Sequence, residues 1–180
     1  FIIGHEHFNK SLTLDIENRL MHYMMSVDRV KHVHNLRDNP QTSYYPMGEF
    51  DEIFGKIWRG LRKENKNLFP TESAIKDSAI YKASPLHKLT KEQEKARELI
   101  IQKVSEALEK EETKQLIFID GEAGTGKTVL TSSTFYELYC QAEESNKALK
   151  CQLLVNHDEQ IIVYEQIAEK LGLKEKYGKV

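Results

Sequence analysis

The residues best suited to chemistry lie in the stretch "GEAGTGKT", residues 121–128. Its spacing fits G-x-x-x-x-G-K-[ST], in which glycines let the backbone turn tightly so that successive N–H groups face a phosphate. The lysine of this pattern reaches the β- and γ-phosphates of a nucleotide, and the hydroxyl residue that follows it ligates magnesium. A helix that starts near the lysine adds the positive end of its dipole. The sequence therefore predicts a phosphate site formed by Gly121, Glu122, Ala123, Gly124, Thr125, Gly126, Lys127 and Thr128.

The segments around this loop have the pattern of a parallel α/β sheet. "QLIFID", just before the loop, has the nearly continuous apolar character that is typical of a strand buried on both faces. After the loop we expect a helix over residues 127–144, a strand at "CQLLVN", and a helix over residues 158–171 with Gly172 as its C-cap. This alternation predicts the start of the parallel sheet of a P-loop NTPase.

A helix upstream of the loop carries a further candidate site residue. "TKEQ", residues 90–93, is a capping-box pattern, and the apolar spacing after it continues a helix. The surrounding "SPLHKLTKEQEKA" resembles the Q-motif of superfamily 1 helicases, in which a glutamine reads the adenine edge. The resemblance makes Gln93 a nucleotide-binding residue. The alternative is that Gln93 only closes the capping box of Thr90, and the two roles are compatible.

The loop "GEAGTGKT" is also similar to that of the same helicases, and residues 82–180 resemble the opening of the Schlafen-type helicase/NTPase domain of bacterial proteins. The resemblance implies ATP and Mg²⁺ as cofactors and DNA or RNA as a partner. "LLVNHDEQ" resembles a nucleic-acid-contacting motif; the alternative is a magnesium-binding pair, Asp158 and Glu159. Because Asp158 falls where a helix N-cap belongs, we expect the catalytic acid elsewhere, in a longer protein of which this chain is a piece.

Near the start, "HFNKSLTLDIENRLMHY" and "NLRDNPQ" resemble the second half of a GIY-YIG nuclease domain, over about residues 1–48. In that family a glutamate on a helix binds the catalytic metal, and Glu17 occupies the matching place on a helix predicted over residues 13–27. The alternative is an ordinary acid in a first helical turn. The tyrosines and the arginine of that family's active site have no counterpart in this chain, so we expect no complete nuclease.

These patterns predict an α/β fold with three parts. Residues 1–61 form an α+β nuclease-like fragment that ends in an amphipathic helix over 50–61, with short strands at "FIIG" and "VKHVHNL". Residues 62–85 form a linker with a short helix. Residues 86–180 form the N-terminal part of the P-loop domain, where the parallel sheet starts.

Composition limits the classes of partner and compartment. The net charge of −2 gives no sign of a generally basic surface, although local basic patches remain compatible with it. Cys140 and Cys151 are too few for a disulfide framework, which favours the reducing cytoplasm. No apolar run approaches the length of a membrane span. Two histidine pairs have zinc-ligand spacing, but no further ligand accompanies them, so we expect solvent-facing side chains at His5, His7, His32 and His34.

The function that these residues favour is that of an ATP-dependent DNA or RNA helicase-like protein with a nuclease-related N-terminal part. A second class is a nucleotide-sensing regulator or scaffold, in which ATP binding drives assembly without strand separation. A small kinase or GTPase is disfavoured, because the sequence has neither an Arg-rich lid insertion nor a guanine-reading N-K-x-D stretch. We expect weak ATP binding and slow hydrolysis by this chain.

Overall fold

The structure, a computed structural model, describes residues 2–34, 39–41, 43–110, 114–144 and 151–173. The helices in these ranges are α1 (Lys10–Met25), α2 (Phe50–Glu64), α3 (Glu72–Asp77), α4 (Ala79–Ala83), α5 (Lys91–Glu109), α6 (Lys127–Glu144) and α7 (Asp158–Lys170), with a short 3-10 helix at Met47–Glu49. The described residues form two compact units, one within 2–82 with 162–173 and one within 83–161.

The predicted α/β fold is wrong, because none of the residues that the structure describes lies in a β-strand. "QLIFID", "CQLLVN" and residues 2–4 of "FIIG" do not pair with another strand. Phe1 and the last two residues of "VKHVHNL" lie outside the described ranges. A strand is held by hydrogen bonds to a neighbouring strand. In "QLIFID" the apolar side chains are exposed instead, Leu116 by 74% and Phe118 by 86%. The apolar character of "QLIFID" indicated a preference for burial. It contained no information about a partner strand.

The predicted helices are present, but their bounds differ, because α1 starts at Lys10 and not at residue 13, and α2 continues to Glu64. Residues 62–85 contain two short helices where one was predicted. In the first unit α1 and α2 define the core. α1 begins at Lys10, where the side chain of Asn9 accepts a hydrogen bond from the backbone N–H of Leu12. Apolar residues at helical spacing on α1 and α2 face each other and meet residues from the segment after α2. The buried cluster consists of Leu12, Ile16, Tyr23, Val27, Ile53, Phe54, Trp58, Leu61, Phe69 and Ile75.

Aromatic rings form the centre of this core. The ring of Tyr23 lies edge-on to those of Phe54 and Trp58, with centroids 5.0 Å apart in both pairs. The polar atoms of these side chains also find partners, as buried Tyr and Trp require. The Trp58 indole donates to the carbonyl oxygen of Pro70 at 2.8 Å, and the Tyr23 hydroxyl donates to the Glu72 carboxylate at 2.9 Å. The segment after α2 is thus fixed to the core.

The end of α7 packs in the same unit and carries a buried lysine. Lys170 is 8% exposed, and its Nζ atom donates to the carbonyl oxygens of Val27 at 2.7 Å and Val30 at 3.0 Å. Burial lowers the pKa of its ammonium group. The helix ends at Lys170, and Gly172 follows as the predicted capping glycine with a φ of 71°. The Leu173 N–H donates to the Ala168 carbonyl at 2.8 Å.

The second unit is built on α5 and α6, which pack against each other. Leu130 on α6 is buried, together with the polar side chains of Ser132, Ser133 and Thr134. The Thr134 hydroxyl donates back to the Leu130 carbonyl at 2.7 Å, so this buried polar group is satisfied within its own helix. Among the described helices of the whole chain, none combines the length and apolarity that crossing a bilayer demands.

Candidate phosphate-binding site

The loop 121–128 is bent by glycines at the points where its backbone enters the left-handed region. Gly124 has a φ of 84° and Gly126 a φ of 82°, values that cost other residues energy. Between these bends and the start of the loop, the Thr125 hydroxyl donates to the Glu122 carbonyl at 2.9 Å. The first turn of α6 then closes with a bond of 2.9 Å from Leu130 N–H to the Gly126 carbonyl. The motif therefore forms a tight turn that leads directly into a helix.

Lys127, the first residue of α6, folds its side chain back over this turn. Its Nζ atom donates to the carbonyl oxygens of Gly121 at 2.5 Å and Glu122 at 2.8 Å. A β-carbon at Gly121 would lie 3.8 Å from the Lys127 side chain and 2.9 Å from the Thr125 hydroxyl oxygen. The ammonium group thus bridges the start of the loop and its end, and a side chain at 121 would crowd the Thr125 hydroxyl.

Gln93 connects α5 to this loop. Both halves of the predicted capping box are present, because Thr90 Oγ1 accepts from Gln93 N–H at 3.3 Å and Gln93 Oε1 accepts from Thr90 N–H at 3.0 Å. The same carboxamide also donates from Nε2 to the carbonyl oxygen of Thr125 at 3.1 Å. A β-carbon at Gly126 would lie only 2.4 Å from Nε2. The capping role is therefore confirmed, and it coexists with direct contact to the loop.

Arg97 and Ser133 form a further link between the two helices, which sequence reasoning missed. Arg97 donates from its guanidinium group to the Ser133 hydroxyl at 3.1 Å, and Ser133 is 3% exposed. Arg97 lies four residues after Gln93, so both side chains project from the same face of α5. That spacing was the available signal, although nothing in the sequence identified the acceptor.

Asp120 directly precedes the loop, and Thr128 is its last residue. Thr128 is the second residue of α6 and is exposed, as are Glu122 and Ala123 within the loop. Asp120, which was not singled out from the sequence, accepts a hydrogen bond from Gly121 N–H at 2.8 Å. Its carboxylate therefore occupies a backbone donor at the start of the loop.

The acids at the start of α7 are exposed. Asp158 and Glu159 lie in the first turn of that helix, so Asp158 is its first residue and not the N-cap that the sequence predicted. With His157 and Gln160 they line a shallow depression of the surface. At this position a carboxylate interacts favourably with the positive end of the helix dipole.

Glu17 lies on α1, half-buried, in the N-terminal unit. Its neighbour in sequence, Asp15, is bound on both oxygens, because Tyr44 donates from its hydroxyl at 2.5 Å and Asn39 donates from its amide at 3.0 Å. Over the described ranges of the chain, no three His, Cys, Asp or Glu side chains come together as a metal site. The metal-binding role of Glu17 remains a prediction.

The histidine pairs have partners other than a metal. His7 lies 3.2 Å from the Glu49 carboxylate, and its ring is 5.3 Å from that of His5. His32 and His34 are exposed and stack with ring centroids 5.8 Å apart. These contacts are local packing at the surface of the unit.

Comparison with known families bears on the segment that contains the loop. Residues 114–180 match the family model described as Schlafen group 3, DNA/RNA helicase domain. This part of the chain is helicase-like. The matched range includes the loop, α6 and α7, and it begins after Gln93 and Glu17. The GIY-YIG resemblance of residues 1–48 therefore stays a prediction. Searches among curated proteins and among solved structures gave no match.

Proposed function

We propose that the loop 121–128 binds ATP and that the protein is an ATP-dependent, helicase-like protein that acts on DNA or RNA. One observation carries the proposal. The Lys127 ammonium group lies across a turn bent by Gly124 and Gly126, inside a segment that matches a DNA/RNA helicase domain. A cytoplasmic location is part of the proposal, because two cysteines are too few for a disulfide framework.

Phosphate suits this loop because the loop concentrates donors in a small space. The Lys127 ammonium group donates to two neutral carbonyl oxygens, those of Gly121 and Glu122. A charged phosphate oxygen is a stronger acceptor than a carbonyl, so it competes well for the same N–H groups. The start of α6 adds backbone N–H groups and the positive end of the helix dipole. The loop can therefore exchange internal contacts for contacts with a polyphosphate.

Adenine suits the remaining hydrogen-bonding capacity of Gln93. Its Nε2 uses one N–H on the Thr125 carbonyl, and its Oε1 uses one lone pair on Thr90 N–H. One donor and one acceptor remain, since a carboxamide has two N–H groups and two lone pairs. Adenine presents an acceptor at N7 and a donor at N6, whereas guanine presents two acceptors on the same edge. Gln93 can thus pair with adenine and keep both of its contacts within the chain.

Magnesium suits the hydroxyl of Thr128. This side chain is exposed and follows Lys127 directly, and Mg²⁺ prefers oxygen ligands, of which it takes a few from protein and the rest from phosphate and water. When bound, the ion neutralises negative charge on the β- and γ-phosphates. Lys127 and Thr128 therefore hold the phosphates and the metal from adjacent positions of one helix.

A nucleotide-sensing regulator or scaffold is the second candidate function. It is favoured by the position of Asp158 and Glu159, which lie in the first turn of α7, where the helix itself accounts for their presence. Hydrolysis that is stimulated by single-stranded DNA or RNA supports the helicase, whereas ATP binding without such stimulation supports the sensor.

For the N-terminal unit we propose a nuclease-related domain in which Glu17 is a metal ligand. The proposal is supported by the position of Glu17 on α1, half-buried and close in sequence to the hydrogen-bonded Asp15. Titration of Mn²⁺ into wild type and Glu17→Gln tests it. Equal binding by both proteins counts against the metal site, and no DNA cleavage is expected from either.

The nucleotide proposal is tested by titrating Mg·ATP and Mg·GTP into the 180-residue chain. We expect ATP to bind about tenfold more tightly than GTP, because guanine cannot make one of the hydrogen bonds that adenine makes with Gln93. Equal affinities would remove the adenine-reading role of Gln93, and binding of neither nucleotide would overturn the proposed function.

A further inference from the structure

We infer that Gln93 is a positioning residue of the phosphate loop, which raises the affinity of the loop for phosphate through the carbonyl group of Thr125 and does so without any contact to a base. The inference rests on the proposed function, since it concerns phosphate binding by the same loop. The inference goes beyond the proposed function because it gives Gln93 a role in binding ligands that contain no adenine.

Both polar atoms of the Gln93 carboxamide are hydrogen-bonded within the chain. Its Oε1 accepts from the backbone of Thr90 at 3.0 Å, and its Nε2 donates to the backbone of Thr125 at 3.1 Å. The backbone of Gln93 is fixed as well, because its N–H donates to the Thr90 hydroxyl at 3.3 Å. Two side-chain hydrogen bonds and one backbone hydrogen bond therefore fix Gln93 between the first turn of α5 and the loop.

The carboxamide of Gln93 contacts the loop between its two glycines of positive φ. Thr125 lies between Gly124 and Gly126, which both have positive φ and which lose more conformational freedom on ordering than other residues. Nε2 also contacts Gly126 so closely that a β-carbon there would lie 2.4 Å away. Restraining this point before the ligand arrives reduces the entropy that binding must offset.

The restraint also sets the direction of a backbone donor. In a trans peptide the C=O and the N–H point to opposite sides. Because Gln93 holds the Thr125 carbonyl on its own side, the N–H of Gly126 in the same peptide points away from Gln93. The orientation of an N–H group is what a phosphate-binding loop depends on. Gln93 thereby prepares the loop for an anion.

The test uses a ligand without a base, inorganic triphosphate with Mg²⁺, and two variants of the 180-residue chain. Gln93→Met keeps the length of the side chain and removes both carboxamide bonds. Thr90→Ala removes the hydroxyl bond of the capping box and keeps the contact with Thr125. We expect Gln93→Met to bind triphosphate about five- to tenfold more weakly than wild type, the effect of one hydrogen bond. Thr90→Ala should stay within about twofold. Unchanged affinity in Gln93→Met would overturn the inference.

A measurement without ligand separates this inference from the proposed function. The carbonyl-carbon resonance of Thr125 should move when the hydrogen bond from Gln93 is lost, in Gln93→Met and equally in Gln93→Glu. The second variant keeps an acceptor for Thr90 N–H, so the helix start is preserved if Gln93→Met folds poorly. A resonance that stays in place in Gln93→Glu overturns the inference. Failure of wild type to bind triphosphate overturns the proposed function, and the resonance then decides alone whether Gln93 holds the loop.

Discussion

The Nζ atom of Lys127 lies 2.5 Å from the carbonyl oxygen of Gly121, so the ammonium group at the start of α6 reaches back to the first residue of the loop. A second bond, to the Glu122 carbonyl at 2.8 Å, fixes the direction of the side chain. A lysine in this arrangement joins the two ends of the turn. Its positive charge lies next to the backbone of the first two loop residues.

Lys127→Ala should weaken Mg·ATP binding about tenfold or more, because a charge-assisted hydrogen bond to phosphate is lost. Isothermal titration of both proteins measures the effect. Lys95→Ala, which removes an exposed lysine of α5, is the control and should bind as wild type does. Equal affinity of wild type and Lys127→Ala would show that the loop does not use its lysine for phosphate.

The three substitutions Gly60→Ala, Gly124→Ala and Gly126→Ala should form a graded series. Gly60 is helical with open space around it, so alanine there should raise stability by about 0.5–1 kcal/mol. Gly124 has open space but a positive φ, so alanine costs about 1–2 kcal/mol. At Gly126 the positive φ is combined with a β-carbon 2.4 Å from Gln93 Nε2, so both stability and phosphate binding should fall furthest.

Thermal unfolding and triphosphate titration of the three alanine variants check the series. The order of phosphate affinity should be Gly60→Ala, then Gly124→Ala, then Gly126→Ala. If Gly126→Ala binds as tightly as Gly124→Ala, the contact with Gln93 does not matter for the loop.

The sequence predicted the helices and the loop because their causes are local. The capping box at Thr90, the capping glycine after α7 at Gly172 and the start of α6 at Lys127 depend on residues within one or two turns. The sheet was mispredicted because pairing of "QLIFID" depends on a partner strand, which no local pattern specifies. The Arg97–Ser133 bond was missed for the same reason, since it joins two helices.

Stability should fall at alkaline pH because of Tyr23, which is buried, and Tyr44, which is partly buried. Burial, reinforced by hydrogen bonds to the carboxylates of Glu72 and Asp15, raises the pKa of Tyr23 and of Tyr44 well above its ordinary value of about 10. In the unfolded chain both hydroxyls lose their protons near pH ~10, whereas the folded chain keeps them. The stabilisation is therefore complete below pH ~10 and is lost as the pH rises through the raised folded-state values.

Urea unfolding of wild type, Tyr23→Phe and Tyr44→Phe between about pH 8 and 11 isolates this effect. Each variant lacks one titrating hydroxyl, and every other group is shared with wild type. The variants should be less stable than wild type at pH ~8, and the difference should shrink as the pH rises above ~10. A difference that stays constant over this range contradicts the assignment.

Lys170→Met should destabilise the first unit by about 1–3 kcal/mol, because it leaves the carbonyl groups of Val27 and Val30 buried without this donor. Methionine has a similar length, so the loss of packing is small. Lys31→Met, at an exposed lysine nearby in sequence, should change stability by less than about 0.5 kcal/mol. Equal stability of the two variants in urea unfolding would show that the ammonium group contributes nothing to the docking of α7.

Hydrolysis of ATP by the 180-residue chain should be slow, and neither Asp158→Ala nor Glu159→Ala should change it. A phosphate loop needs a separate carboxylate that holds magnesium and orients water. Asp158 and Glu159 lie exposed in the first turn of α7, where they stabilise the helix end, so each substitution should lower thermal stability by about 0.3–1 kcal/mol and leave the rate unchanged. The rate of ATP hydrolysis is measured as phosphate release by wild type and the two variants. Lys127→Ala gives the rate that does not depend on the loop. Brisk hydrolysis by wild type that either substitution abolishes would identify "NHDEQ" as the catalytic acid motif.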